Sequence, residues 1–359
     1  MTQSTRVTLV GDEPELAEQL VRALLERSFE LEGIRVLGGD DRHGAVVEVD
    51  EEVHLRVDRA DTLGLAGADA VVFFGASGLD VDLIDLVPDG TIVVDATPGA
   101  SLRGGTGRMP IVPEVNAEMV GAVAAEGPLP LPGPATVGLA VALAPLHEAA
   151  RVRRVVTTVL LPSSLRGAEG IERLSRQSVS LMQGRSLDEE VDPEHFAFNL
   201  RPLEGPVGSG WAADEQRLAV EIALLFGEPP IEVVATGVRA PIFYGLSQSV
   251  YVETEQAVDP DEAERLLMRG RGLLVAGSTS EDDTRGVARE EQGEIEAVVD
   301  RAPGPVEVGG SEAVHVAHVR ADPRKPEALA FWLCLDDQRK GIALNAVATL
   351  EIALRDVER

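Results

Sequence analysis

The chain has 359 residues, 44% of them hydrophobic, enough for about two domains with real cores. Asp and Glu total 61 against 32 Lys and Arg, a formal charge of -29 that disfavours nucleic acid and anionic membrane as partners. A lone cysteine, Cys334, excludes an internal disulfide framework and agrees with a reducing compartment. The basic residues are nearly all Arg, Lys325 and Lys340 being the exceptions, which fits a saline cytoplasm and a GC-rich genome equally. The opening Met1-Thr-Gln-Ser-Thr-Arg6 shows no charged-then-apolar signal pattern, and no apolar run reaches membrane-spanning length. A soluble cytoplasmic protein is expected.

Arg6-Val-Thr-Leu-Val10 is a short β-branched run, Gly11 follows at once, and Leu16, Leu20, Ala23 and Leu24 then recur at helical spacing. Strand, turn and helix in that order open a nucleotide-binding α/β unit. Ala70-Val-Val-Phe-Phe74 and Thr91-Ile-Val-Val-Asp95 are continuous apolar runs, as in parallel strands covered on both faces. Each leads into a small-residue loop, Gly75-Ala-Ser-Gly78 and Ala96-Thr-Pro-Gly99, at the end where such sheets bind ligands.

Ile111-Val-Pro-Glu-Val-Asn116 leads through a helical segment to Leu131-Pro-Gly-Pro-Ala-Thr136, a tight turn running into an apolar helix of small residues up to His147. The N-terminus of such a buried helix can hold an anion or activate a side chain on the preceding turn. Gly133, Pro134 and Ala135, however, cannot attack, accept a proton or bind a metal.

The helix from Thr136 carries the chain into its second half. Arg153–Leu161 reads as a strand, Gly170–Met182 as an amphipathic helix, and Leu187–Gly210 as a long irregular connection. Asp214–Phe226 is a helix stopped by Gly227, with Pro229 and Pro230 beyond it. Ile231–Val238 and Ser247–Thr254 are strands flanking Arg239-Ala-Pro-Ile-Phe-Tyr-Gly-Leu246, and Pro260–Arg269 is a helix with Pro near its first position. Glu281–Gln292 is charged enough to be an exposed, mobile loop. Ala313–Val319 and Ala328–Leu335 are strands, and Gly341–Leu354 is a final helix.

Nucleophiles and metal ligands are scarce in this pattern. Cys334 sits in a buried-strand sequence, Phe331-Trp-Leu-Cys-Leu335, and reads as structural. Thr136, Ser163 and Ser164 lack a neighbouring base. His315 and His318, three apart on a strand, should face opposite sides, so no metal site is expected.

Ile111-Val-Pro-Glu-Val-Asn116, Ala144-Pro-Leu-His147, Phe196-Ala-Phe-Asn199 with Pro202, Arg239-Ala-Pro-Ile-Phe-Tyr-Gly245 and Asp337-Gln-Arg-Lys-Gly-Ile-Ala-Leu-Asn345 together resemble the aspartate-semialdehyde dehydrogenase family. The Ala-Pro-Ile-Phe-Tyr-Gly wording is most similar to the Usg branch of dehydrogenase-like paralogues. The resemblance implies an α/β fold: a Rossmann-type N-terminal domain, 1–135 with 337–359 returning to it, and an α+β dimerisation and substrate domain, 136–336. It also implies a homodimer, and reductive dephosphorylation of aspartyl phosphate with NADP as part of amino-acid biosynthesis from aspartate.

That chemistry needs a thiolate, a His to move its proton and a cofactor held on glycines. The family's Pro-Asn-Cys-(Ser/Thr)-Thr turn matches Pro132-Gly-Pro-Ala-Thr136, placing Pro134 at the nucleophile and, by the Gly-His pair of the later loop, Leu246 at the base. The substrate-orienting Gln falls at Leu160. Of the Gly-Ala-Thr-Gly-x-Val-Gly loop only Gly11 survives, in Gly11-Asp-Glu-Pro-Glu-Leu-Ala17. Pro14 deletes a donor and Asp12, Glu13 and Glu15 crowd the phosphate-binding end, where they are expected to cap the helix instead. Gly11, Gly75 and Ser77 are the vestigial cofactor positions.

A set of cations remains: Arg103 at the phosphate-binding position, Arg217 in the Glu-Glu-x-Lys motif, and Arg239 at the substrate-carboxylate position. They read equally as an anion pocket and as salt bridges to residues such as Glu215 or Glu114. The expected function is an inactive paralogue, a dimeric scaffold or anion sensor without a bound dinucleotide. The alternatives are an oxidoreductase with residual or altered NADP-dependent activity, and a subunit that heterodimerises with an active paralogue.

Overall fold

A computed structural model of the chain describes residues 4–27, 30–50, 52–76, 78–105, 107–187, 194–205, 210–276 and 302–357. Seven strands of the first half, Thr5–Val10 (β1), Leu31–Gly38 (β2), Val46–Glu48 (β3), His54–Arg59 (β4), Ala70–Phe74 (β5), Ile92–Ala96 (β6) and Leu129–Pro130 (β7), form one sheet. Its order is β3-β4-β2-β1-β5-β6-β7, parallel except where β3 meets β4. Of the central strands β5 is apolar throughout because both faces of the sheet are covered. Pro14–Leu25 (α1) lays Leu16, Leu20 and Leu24 on one face, and Val10, Val71 and Phe73 pack on the other with Leu37, Leu65 and Leu83. Four short helices, Thr62–Leu65 (α2), Leu79–Leu83 (α3), Pro113–Asn116 (α4) and Val120–Ala124 (α5), complete the crossovers.

Pro134–Ala150 (α6) joins the two halves, with Thr136 through Leu143 all buried. The helix starts two residues earlier than Thr136 because Pro at the first helical position has no N–H to leave unpaired. The second sheet comprises Val152–Leu161 (β8), Arg201–Pro202 (β9), Glu232–Arg239 (β10), Leu246–Thr254 (β11), Leu273–Ala276 (β12), Val314–Asp322 (β13) and Lys325–Leu335 (β14). Its order, β12-β13-β14-β11-β8-β10-β9, mixes parallel and antiparallel pairs. Besides α6, this half carries Gly167–Met182 (α7), Ala213–Phe226 (α8) and Pro260–Arg269 (α9). Apolar residues of α6, α8 and α9 share one core cluster with β8, β11, β13 and β14.

After β14 the chain makes a π turn over Arg339–Ala343 and enters Leu344–Val357 (α10), whose Ala346, Val347, Leu350 and Ala353 belong to the core of the first sheet. The fold is thus a Rossmann-type N-terminal part with an α+β second part. The last helix begins at Leu344 and not at Gly341, which lies in the turn: a Cβ there would come within 2.7 Å of the Pro134 Cβ. His315 and His318 do not follow simple alternation either. His318 has φ 56° and sits where β13 takes an extra residue between the Ala317–Trp332 and Arg320–Ala330 pairs. The charged segment Glu281–Gln292 lies outside the described residues.

Candidate functional site

The carboxyl ends of β1, β5 and β6, the N-terminus of α6 and the ends of β8 and β10 converge on a cleft of about 340 Å³. Pro134 sits at this cleft as the first residue of α6. The turn before it is held from below by a residue that the sequence reading missed. Glu221 of α8 is fully buried and accepts hydrogen bonds from Ser101 Oγ at 2.6 Å, Thr136 Oγ1 at 2.5 Å and the Gly133 N–H at 3.3 Å. Burial pushes its carboxyl upward, while the Arg217 charge and these donors pull the other way. The available signal was one acid in the apolar face Leu218, Ile222, Leu225.

Among the described residues, neither Cys nor His lines the cleft. Leu246 is fully buried in the core of the second sheet and, like Leu160, does not line the cleft. Cys334 is fully buried beside Ser247 Oγ at 3.2 Å, and desolvation pushes its thiol up to about 11, as expected of a structural cysteine.

Asp337 is a second perturbed acid, and it lines the cleft. It is buried, accepts from Ser164 Oγ at 2.7 Å and from the Gly245 N–H at 2.6 Å, and burial raises its carboxyl to about 6. A carboxyl raised in the folded state stabilises the fold fully below its unfolded value of 3.8, and that contribution is lost as pH rises through about 6. Stability should therefore fall between pH 4 and pH 6 relative to Asp337→Asn, by on the order of 2 kcal/mol. Parallel pH dependences of the two proteins in denaturant titrations would disprove this.

The acidic residues before α1 do not cap it: Glu13 is the N-cap residue but makes no side-chain capping bond. Its carboxylate instead accepts from the Ala76 N–H at 3.2 Å and lies 3.1 Å from where a Gly75 Cβ would be. Tertiary reach outweighs local capping because the Gly75 loop, with φ 74°, offers an inward-facing donor and no side chain. Desolvation raises the Glu13 carboxyl, the Ala76 bond lowers it, and Glu15 and Asp12 add smaller repulsions. Asp12 accepts from the Gly39 N–H at 2.6 Å. Gly11 is kept for packing, since a Cβ there would meet the Phe74 carbonyl at 2.4 Å and its ring at 2.8 Å. Ser77 lies outside the described residues.

Of the three sequence-derived cations, Arg217 and Arg239 line the cleft and Arg103 does not. Arg103 pairs with buried Asp95 at 2.8 Å and donates to Thr97 Oγ1 at 2.9 Å. Arg217 pairs with Asp214 at 2.8 Å, and Arg239 with Glu194 at 3.4 Å. The acids expected as their partners are used elsewhere: Glu215 accepts from the Ala212 and Gly237 N–H groups, and Glu114 pairs with Lys340. A fourth cation, Arg166, also lines the cleft. It lies two residues beyond Ser164. No helix among the described residues is long and apolar enough to cross a membrane.

Residues 143–340 match the family model described as semialdehyde dehydrogenase, dimerisation domain. The aspartate-semialdehyde dehydrogenase of Aquifex aeolicus (strain VF5) is 26% identical over 354 residues, covering 98% of both chains. The structure of a probable aspartate-semialdehyde dehydrogenase from Pseudomonas aeruginosa is similar with a TM-score of 0.83 at 28% identity, over 99% of this chain and 100% of that one. Aspartate semialdehyde dehydrogenase II from Vibrio cholerae shares the fold with a TM-score of 0.85 at 24% identity, over 99% of each chain.

Proposed function

The chain belongs to the aspartate-semialdehyde dehydrogenase family, and on that premise we propose that it is a catalytically inactive, Usg-like member, a dimeric scaffold that holds a small anionic metabolite in its cleft. The observation that carries the reading is Pro134 on the cleft at the start of α6, with neither thiol nor imidazole among the described residues of the lining. Acyl transfer to the enzyme needs a thiolate and a base to carry its proton, and a pyrrolidine ring supplies neither. Leu246, at the base's position, is committed to the core. The division into 1–135 with 337–359 and 136–336, the homodimer and a cytoplasmic location belong to the same proposal, as does heterodimerisation with an active paralogue as its variant.

The residues at the Rossmann loop do not fit NADP. The Glu13 carboxylate takes up the Ala76 N–H that a phosphate would need, Pro14 has no N–H to offer, and Asp12 and Glu15 add negative charge. The cations support the other half of the reading: Arg166, Arg217 and Arg239 all face one cleft. A second reading, an altered activity in the same pocket, is favoured by the Ser164–Asp337 pair, a hydroxyl bonded to a carboxyl raised to about 6.

Calorimetry with NADPH, followed by assay with aspartate semialdehyde, phosphate and NADP, tests the inactive reading. No binding heat and no turnover are expected, and turnover above the uncatalysed rate would end it. Glu13→Ala is expected to bind NADPH more tightly than the wild type, an effect that identical titrations would refute. Succinate, as a probe of the cleft, is expected to bind the wild type and to lose that binding in Arg239→Ala.

A further inference from the structure

The floor of the cleft is continuous with the core of the second half. Val159, Leu218 and Ala235 are buried in that core and also line the cleft, and Leu161, which packs against the same cluster, is half-buried there. Gly237 of β10 shows how this surface is built. A Cβ at that position would meet Leu203 Cδ1 at 2.5 Å and Leu161 Cδ1 at 3.6 Å, so the two leucines meet across a bare stretch of strand. Both backbone groups of Gly237 are engaged within the chain: its N–H donates to Glu215 Oε1 at 2.8 Å, and its carbonyl accepts from the Leu203 N–H at 2.8 Å. Leu203 and Pro134 line the cleft too and are likewise half-buried, so aliphatic carbon and not strand backbone faces a ligand here.

The acids of the lining are occupied as well. Glu13 accepts from the Ala76 N–H, Asp214 pairs with Arg217, Glu215 accepts from the Ala212 N–H with its second oxygen, and Asp337 holds Ser164 Oγ and the Gly245 N–H. A polar ligand group placed among them competes with bonds already made. Carbon placed against Leu161, Leu203 and Pro134 removes apolar surface from water on both sides and displaces no such bond. The cleft, at about 340 Å³, is within the size of small-molecule sites, whose walls are mainly apolar with a few placed polar groups.

We propose that the ligand of the cleft is amphipathic: an organic anion whose aliphatic body lies on the Leu161, Leu203 and Pro134 surface while its charged end is left to the cations of the lining. This rests on the reading of the cleft as an anion site and adds the chemistry of the ligand's body. Leu161 and Leu203 are then the residues that select among anions, since charge is common to all of them and apolar length is not. Pro134 gains a role of its own, as a wall for hydrocarbon at the point where α6 starts.

The test is calorimetric titration of the wild type with butyrate, pentanoate, hexanoate, adipate and 1-hexanol, at constant ionic strength and over a range of temperatures. Each added methylene is expected to tighten binding about threefold, so that hexanoate binds about tenfold tighter than butyrate, with a negative heat-capacity change. Adipate, which sets a second charge on the apolar surface at the same carbon count, should bind more weakly than hexanoate. Leu203→Ala and Leu161→Ala, checked for folding by thermal melts, should each lose most of the gain from butyrate to hexanoate and keep the wild-type affinity for butyrate. An affinity that stays flat along the series, adipate binding as tightly as hexanoate, or variants that weaken both acids equally would overturn the proposal. The two readings separate in these results. A flat series in which the acids still bind leaves the anion site standing without its apolar floor. Binding of 1-hexanol as tight as that of hexanoate removes the anion site and with it the amphipathic ligand, and no binding by any acid removes both.

Discussion

Glu221→Ala is expected to lower the unfolding free energy by about 3 kcal/mol. The substitution strands the Ser101 and Thr136 hydroxyls and the Gly133 N–H, all of which point at the Glu221 carboxylate. A buried donor left without a partner costs about 1–3 kcal/mol, and the space left by the side chain adds to that. The sum is reduced because the wild type already bears the cost of desolvating an acid, which is why its carboxyl is raised. Glu221→Gln retains an acceptor and should cost about 1 kcal/mol. Urea denaturation of the three proteins decides the matter: if Glu221→Ala unfolds at the wild-type midpoint with an unchanged slope, the three-way anchor carries no weight.

Lys340→Met is expected to cost about 3 kcal/mol, because it leaves a partly buried acid without its cation. The Lys340 side chain is 3% exposed and pairs with Glu114, whose side chain is 22% exposed and whose Oε2 has no hydrogen-bond partner among the described residues. Residual solvent access at Glu114 places the figure at the low end of the range for buried pairs. Glu114→Leu in the same background should recover at least half of the loss, since the isolated charge and not the missing attraction dominates. The four-member cycle measures this, and strictly additive single effects would contradict it.

Elements whose signals are local were legible in the chain. Continuous apolar runs announced β5 and β6, Pro134 marked the start of α6, and Gly227, with φ 71°, ended α8 where expected. Where side chains reach across the fold was not legible. Glu13 resembles an N-cap by position, yet its partner is 63 residues away in sequence. Arg103 pairs with Asp95, a choice fixed only once β6 and the loop after it are placed, whereas Arg217 pairs with Asp214 three residues back on the same helix. The extra residue in β13 at His318 likewise leaves no mark on the alternation. The Asp337–Asn345 motif stands between these cases: its wording was plain, its work was not. In the fold it is a junction, with Asp337 tied to Ser164 and Gly245, Arg339 to Glu26 and Glu312, Lys340 to Glu114, and Asn345 to the Ile111 carbonyl.

The return of α10 to the first sheet has a temporal consequence for a growing chain. Ala343, Leu344, Ala346, Val347, Leu350 and Ala353 share a core with β1, β5 and α1. Arg339 reaches Glu26 across 313 positions. On the ribosome, the first sheet must therefore wait with apolar surface uncovered while the whole second half is translated and threaded out. At roughly 5–20 residues per second that wait lasts on the order of ten seconds or more, during which the nascent sheet is exposed to chaperones and to its own copies.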